Sequence, residues 1–318
     1  MERFQRVAII AKPVGNNIAE HVRSLIEIVR DAGCTPLLDD NAAAHLKQLG
    51  LRPAWRVGQA RDLAADCDVA ISLGGDGTML GAARTVAPFN VPVIGINAGR
   101  LGFITDIVIE EMARIIPDML AGHYVRDPRH MLQGRIYHEG KEVFRELAVN
   151  DIGISHGRAL GMVEYTVYVD GEQMAVQRAD GVLVSSATGS TAYAMAAGGP
   201  IMHPATKNML LVPVAPHTLS NRPIVLSKRS VIDIEVNETR SAVASFDAQI
   251  LHDVVAGDVL RISVSDTMFT MLHPVGWSHF DLLRRKLKWN YLPQAERPIH
   301  TREQDVRPLA CTTPLDKN

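Results

Sequence analysis

Aromatic side chains are scarce, 5% of the chain, and this removes the stacked-ring platforms on which single-stranded nucleic acids bind. Cysteine is scarcer still. Cys34, Cys67 and Cys311 are odd in number and scattered, which excludes a disulfide framework and a cysteine-based metal cluster. They read as buried or incidental thiols, and a reducing compartment, the cytoplasm, is expected. Neither sign of charge is in excess: 33 basic against 35 acidic residues leave a net charge of −2. With no long basic tract and no zinc-ligand spacing, nucleic acid is not expected as a partner. There is also no signal-peptide pattern and no apolar run long enough to span a membrane, so no membrane partner is expected.

What the chain does have is length and punctuation. Its 318 residues can bury sizeable cores, and two domains are expected rather than one. The first part alternates short apolar runs with helical patterns. Residues 7–11 read as a strand, and 17–32 as a helix with Ile18, Val22, Leu25, Ile26 and Val29 on one side. A strand over 34–38, a partly helical stretch over 42–63 limited by Pro53, and strands over 68–73 and 91–97 continue the alternation. Repeated strand–helix units predict a mostly parallel sheet with ligands at the carboxyl ends of its strands. The character changes near residues 124–130. Beyond it the runs are short and rich in β-formers, at 163–169, 181–184, 231–236 and 259–264, with turns such as Asp170-Gly171 and Gly257-Asp258 between them. Residues 280–287 carry a mixed apolar and basic helical pattern, and from Pro293 the tail is polar and expected to be disordered at its end.

The densest signal is Gly74-Gly75-Asp76-Gly77-Thr78, at the end of an apolar run. Glycines at a strand-to-helix junction let backbone N–H groups approach a ligand, and a helix starting at Thr78 presents its N-terminus to an anion. Phosphate is the natural expectation, yet a bare carboxylate repels it. Asp76 therefore needs a separate role, either holding a cation or taking a proton from an attacking hydroxyl. The loop lacks the lysine of the Gly-Lys-Ser/Thr nucleotide loop and the Gly-x-Gly-x-x-Gly of dinucleotide dehydrogenases. A tight turn with a solvated aspartate is the alternative. The next strand ends in Asn97-Ala98-Gly99-Arg100-Leu101-Gly102-Phe103, which parallel connectivity places beside Asp76. Arg100 there faces phosphate or sits on an ordinary loop.

Asn150-Asp151 interrupts an apolar run, either as a turn or bulge or as an amide and carboxylate for the hydroxyls and base edge of a nucleoside. A second dense stretch runs from Arg178 through Asp180-Gly181 and an apolar strand into Thr188-Gly189-Ser190-Thr191 and a small-residue helix, Ala192 to Ala197, that includes Tyr193, Ala194 and Ala196. Thr188, Ser190 and Thr191 are suited to cap that helix and donate to phosphate, and the alanines admit a flat ligand; a capped helix without ligand is the alternative. Pro216-His217-Thr218-Leu219-Ser220-Asn221-Arg222-Pro223 is a polar turn, structural or part of a site. Asp247, in Phe246-Asp247-Ala248-Gln249, is a type I turn candidate or a late member of the pocket.

As a set, these motifs resemble the NAD kinase family, over nearly the whole chain from Val7 to Trp289. The Gly-Gly-Asp-Gly-Thr string is shared with diacylglycerol and sphingoid lipid kinases and with phosphofructokinases. The Thr188–Tyr193 and Pro216–Ser220 strings are much more specific. The resemblance implies transfer of the γ-phosphoryl of ATP (in some branches of another nucleoside triphosphate or polyphosphate) to the 2′-hydroxyl of the adenosine ribose of NAD, giving NADP, with a divalent cation such as Mg²⁺. It implies Asp76 as proton acceptor, with Gly74, Gly75, Gly77, Thr78, Asn97, Arg100 and Phe103 around the nucleotides. Asn150, Asp151 and Asp180 would bind the nucleoside part. Thr188, Ser190, Thr191, Ala192, Tyr193, Ala194 and Ala196 would line the dinucleotide groove, joined by Gln249. Arg178 looks like the branch that prefers NAD over NADH and uses ATP. No metal ligand is assigned.

Two positions depart from the family pattern. Many members carry Asn-Glu where this chain has Asn150-Asp151, and Thr-Pro-Thr-Gly-Ser where it has Ser186-Ala187-Thr188-Gly189-Ser190. The first shortens a carboxylate by one methylene; the second frees one φ angle and removes no donor. The implied fold is an α/β N-terminal Rossmann-like domain (1–128) plus a C-terminal β-rich, β-sandwich-like domain (129–275), with a tail (276–318) that returns to the first. A homodimer or homotetramer is implied. A lipid or sugar kinase sharing the glycine loop and a dinucleotide sensor without turnover are the rival functions.

Overall fold

In the computed structural model, which describes residues 4–15, 17–99, 102–157, 161–239 and 241–289, the first apolar run forms β1 (Arg6–Ala11), buried after its first residue. In α1 (Ile18–Asp31) the five residues of the expected apolar side are the buried ones, because their spacing puts them on one stripe. There follow β2 (Thr35–Asp39), α2 (Asp40–Gln48), β3 (Val57–Gly58), α3 (Ala60–Ala64), β4 (Val69–Gly74), α4 (Asp76–Val86), β5 (Val93–Asn97), β6 (Ile107–Val108) and α5 (Met112–Leu120). The stretch expected to be helical in part divides into α2 and α3 on either side of Pro53; a proline there removes a donor and clashes with the preceding turn.

The pairs β3–β2, β2–β1, β1–β4, β4–β5 and β5–β6 are all parallel, which gives the order 3-2-1-4-5-6. Residues alternate between the two faces. Val7, Ile9 and Ala11 pack with α1 and α5, while Ala8 and Ile10 pack with α3 and α4. The strand order reverses between β1 and β4, where Ala11 lies opposite Leu73. Helices leaving these two strands diverge, and the crevice outside their carboxyl ends is where doubly wound sheets bind ligands.

Beyond α5 the chain is almost all strand: β7 (Tyr124–His138), β8 (Lys141–Ala148), β9 (Asp151–His156), β10 (Val163–Val169), β11 (Glu172–Ser185), a short helix α6 (Tyr193–Ala196), β12 (Met209–Pro216), β13 (Ile224–Leu226), β14 (Ile232–Glu238), β15 (Ala242–Phe246), β16 (Ile250–Val254) and β17 (Val259–Pro274). Their mutual pairings are antiparallel and form two ladders, β16–β15–β9–β11–β12–β13 and β11–β10–β14–β17–β7–β8. The long β11 belongs to both: its first half pairs with β10, its second with β9 and β12. Inward residues of both ladders, Ile154, Tyr165, Ile234, Phe246 and Leu260 among them, share one core. Asp170 and Gly171, with φ of 54° and 85°, make the tight hairpin turn expected between β10 and β11.

The change of character expected near 124–130 falls on the start of the 15-residue β7. Two strand bounds need correction. The run at 181–184 is only the second half of β11, and that at 259–264 only the first part of β17. In β17 a register shift between Val264 and Met268 interrupts the ladder with β7, and the alternation that reveals a strand breaks there. One compact unit runs to Trp277 and a second begins at Ser278. The described part of the second is α7 (His279–Leu287), capped by Ser278 Oγ, which accepts from Asp281 N. The tail end expected to be disordered lies outside the described residues. Among the described residues no helix is long and apolar enough to cross a membrane.

Candidate active site

Gly74 ends β4 and α4 begins at Asp76, two residues earlier than expected, so the aspartate lies in the helix's first turn. Gly75 occupies the cap position and has no side chain to satisfy the first N–H groups, which leaves that turn suited to an anion. The Asp76 carboxylate turns toward the loop after β5. Its Oδ2 accepts from Phe103 N at 2.8 Å, and its Oδ1 from Thr105 Oγ1 at 2.7 Å and Ile104 N at 3.4 Å. A Cβ on Gly102 would overlap this carboxylate, so glycine is required for the loop to come this close. Thr105 is itself buried and accepts from Asn97 Nδ2 at 2.8 Å, while Asn97 Oδ1 accepts from Gly99 N at 2.7 Å. The expected adjacency of the two loops is therefore present, but it is made by Asn97, Thr105 and backbone. Arg100 lies outside the described residues.

A second group forms around Asn150 and Asp151. The turn joining β15 to β16 has both Asp247 and Ala248 at φ of 53°, the backbone of a type I′ rather than a type I turn. It brings the buried Asp247 carboxylate to the N–H groups of Val149, Asn150 and Asp151 at 3.0, 2.7 and 3.2 Å. Arg84 of α4 donates to Asp247 Oδ2 at 2.5 Å and to Gln249 Oε1 at 2.6 Å, and Gln249 Nε2 donates to Gly77 O at 2.7 Å. Gln249 thus reaches the glycine loop as expected, through the Gly77 carbonyl. The Asp151 side chain is 6% exposed. Burial, and then repulsion from Asp247, push its pKa up to about 7.

The 188–196 segment departs most from expectation. Ser190 is fully buried; its hydroxyl donates to Ala187 O at 2.7 Å and accepts from Met202 N at 2.9 Å. Thr191 Oγ1 turns back to Thr188 O, and the buried Thr188 Oγ1 accepts from Arg129 Nη1 at 3.3 Å. None of the three caps α6: their hydroxyls bond to the turn and its surroundings instead. A Cβ on Gly189 would overlap the Asn150 peptide, so this turn is pressed directly against the Asn150 backbone, whose carbonyl accepts from Ser186 N at 2.8 Å. The Ala194 side chain packs in a small core with Leu183, Met202 and Leu210, while Tyr193 and Ala196 face outward. Tyr193 and Asp180 border a cleft of about 240 Å³ with His156 and Ser245. Arg178 is on the same exposed face of β11 as Asp180, 3.8 Å from Glu164. His217 lies on an exposed loop, its N–H donating to Arg178 O at 2.9 Å.

Two residues of this arrangement have no counterpart among the motifs read from the sequence. Thr105 is a buried polar residue just after the glycine-and-arginine turn, and Arg84 is the only charge on α4 after Asp76. A lone cation on a helix otherwise buried along one side is the available signal for the latter.

Comparison with known proteins places both halves. The ATP-NAD kinase N-terminal domain family matches residues 7–124, and the ATP-NAD kinase C-terminal domain family residues 149–273. An NAD kinase of Polaromonas naphthalenivorans is 45% identical over 288 residues, 91% of this chain and 98% of that protein. The crystal structure of yeast NADH kinase complexed with NADH superposes with a TM-score of 0.83 at 22% identity, over 92% of this chain and 89% of that one. That of an NAD kinase from Archaeoglobus fulgidus in complex with ATP gives 0.65 at 24% identity, over 89% and 99%. These two structures corroborate the fold, an α/β Rossmann-like part followed by a β-rich part. The crevice motifs all fall inside the two matched regions, and with a relative this similar along nearly its full length, the chain belongs to the ATP-NAD kinase family.

Proposed function

We propose that Asp76 takes the proton of the adenosine 2′-hydroxyl of NAD while the γ-phosphoryl of ATP passes directly to that oxygen, without a phospho-enzyme. The activity itself is that of the family, ATP-dependent phosphorylation of NAD to NADP. The observation that carries the assignment is the Asp76 carboxylate, fixed by three donors in the first turn of a helix without a side-chain cap, at the strand-order reversal. A secondary hydroxyl is a poor nucleophile at neutral pH and needs a positioned base. A carboxylate offers about four lone-pair sites, so the three protein donors leave room for the ribose hydroxyl. The first N–H groups of α4 are suited to phosphate oxygens.

Asp151 supports the nucleoside side of this reading. It is a nearly buried carboxyl to which no described group donates, beside the Asn150 peptide, and two ribose hydroxyls would supply the missing donors. The cleft bordered by Asp180 and Tyr193 takes more of the dinucleotide. Among the described residues no three His, Cys, Asp or Glu side chains cluster to hold a metal. Mg²⁺ would enter as part of the MgATP substrate, where it offsets triphosphate charge. The chain divides near residue 128, just inside β7, which opens the antiparallel ladders at Tyr124, and it works as a homodimer or homotetramer in the cytoplasm. The oligomer is supported by the family resemblance, the compartment by the reduced, buried thiols of Cys34 and Cys67.

Asp76→Asn tests the assignment. NAD binding and the fold should persist while turnover falls by about 10²–10⁴; near-normal turnover would remove Asp76 from the role. Product analysis with NAD, a sphingoid base and fructose 6-phosphate side by side separates NAD kinase from lipid and sugar kinases. Saturable NAD binding without ATP-dependent product would indicate a sensor.

A further inference from the structure

Behind the loop that holds Asp76 lies a buried line of charge that the reaction scheme does not use. His273, near the end of β17, is 1% exposed, and both of its ring nitrogens meet carboxylates: Nδ1 is 2.8 Å from Asp106 Oδ2, and Nε2 is 3.1 Å from Asp127 Oδ2. Arg129 donates to the same Asp127 oxygen through Nε at 2.7 Å and Nη2 at 2.5 Å, and its Nη1 reaches Thr188. The indole of Trp277 covers the ring face, with centroids 3.8 Å apart and planes 8° from parallel.

The chemistry of the ring fixes its state. A neutral imidazole has one N–H, so one of its two carboxylate contacts would set lone pair against lone pair; only the imidazolium donates to both. Charge then balances, with two carboxylates against His273 and Arg129. The charged groups facing His273 are Asp106, before β6, and Asp127, on β7 with its partner Arg129. Burial by itself would lower the His273 pKa, but hydrogen bonds and charge from Asp106 and Asp127 together outweigh it and raise it. Asp127 is held at about 2, burial opposing and His273 and Arg129 prevailing.

Position gives the cluster its consequence. Asp106 directly follows Phe103, Ile104 and Thr105, the three residues that donate to Asp76. The antiparallel register of β17 with β7 places His273 opposite Val125, and so within reach of Asp127. At its other end the line finishes on Thr188, in the turn pressed against Asn150. It therefore runs from the loop that orients the base to the turn beside the nucleoside residues.

We propose that His273 is a positioning residue for phosphoryl transfer: clamped as an imidazolium between Asp106 and Asp127, it fixes the 103–106 strip and through it the direction of the Asp76 carboxylate. This rests on Asp76 being the base. A displacement of that carboxylate by about 1 Å can cost on the order of 100-fold in rate.

The test uses the full-length protein and the variants His273→Gln, His273→Arg and Asp76→Asn. For His273→Gln, kcat should fall about 10- to 100-fold, with KM for NAD and for ATP changed less than about threefold. His273→Arg retains two-sided donation and a fixed charge, so it should recover most of kcat and lose the alkaline fall in kcat that deprotonation of His273 contributes to the wild type. Three results would overturn the proposal: kcat of His273→Gln within twofold of wild type; equal loss in the Gln and Arg variants; or the same alkaline limb in wild type and His273→Arg. The wild-type profile keeps the proposal testable even if the Gln variant fails to fold, because the Arg comparison stands alone. An inactive Asp76→Asn together with a normal His273→Gln defeats this proposal only; an active Asp76→Asn defeats the assignment of the base, and this proposal with it.

Discussion

Asp151→Asn separates what this carboxyl does for the fold from what it does for NAD. Its pKa is pushed from 3.8 to about 7, by burial first and then by Asp247. In the unfolded chain it titrates near its ordinary value. Between the two values the folded state holds the extra proton, so stability falls as pH rises and the loss is complete above about 7, where it amounts to roughly 4 kcal/mol. Asparagine has the same shape and no charge. The ligand-free variant should therefore match the wild type near pH 4 and resist urea better at pH 8, by a few kcal/mol. Binding should move the opposite way. Ribose hydroxyls donating to the carboxylate favour its charged form, so NAD uptake near pH 6 should release a proton, and the wild-type Kd at pH 6 should be about tenfold higher than at pH 8. The variant should lose this pH dependence and bind roughly 10- to 100-fold more weakly at pH 8, as expected for a lost charged acceptor. Urea titrations between pH 4 and 8, and calorimetry in buffers of different ionisation heat, measure both. A stability difference that does not change with pH, or NAD binding without proton release, would refute the reasoning.

Two further changes probe the scaffold. Arg84→Met leaves the fully buried Asp247 side chain with its three N–H donors but no cation. Unfolding free energy in urea should drop by about 3 kcal/mol, and a loss below about 1 kcal/mol would show that the N–H groups suffice. Ser190→Ala orphans Met202 N and should cost about 1–3 kcal/mol with KM for NAD unchanged; a raised KM at unchanged stability would place that hydroxyl on the ligand.

Much of the architecture was legible locally. The stripe Ile18, Val22, Leu25, Ile26 and Val29 is the buried face of α1, and β10 covers the residues read as a strand. Helical and strand periods are properties of adjacent residues, and a side chain's face follows from them. The Gly74–Thr78 loop was legible for the same reason: a buried strand ending in glycines can only turn outward at the sheet edge. Its helix start was misplaced by two residues because Asp76 is oriented by a loop 27 to 29 residues farther on. Hydroxyls are harder to place from a string. Ser190 and Thr191 look like donors in a string, but whether a hydroxyl faces ligand or core depends on what packs against the turn, here Met202 and the Asn150 peptide.

The amino-acid sequence alone therefore determined the alternation of elements, the glycine loop and the family to which the chain belongs, because each resides in contiguous residues. Only the tertiary structure decided how charge is distributed around the crevice. Arg84 meets Asp247 across 163 residues, and His273 meets Asp106 across 167 and Asp127 across 146. No local pattern marks such partners. Each is a charge that burial makes costly until the folded chain supplies its counterpart.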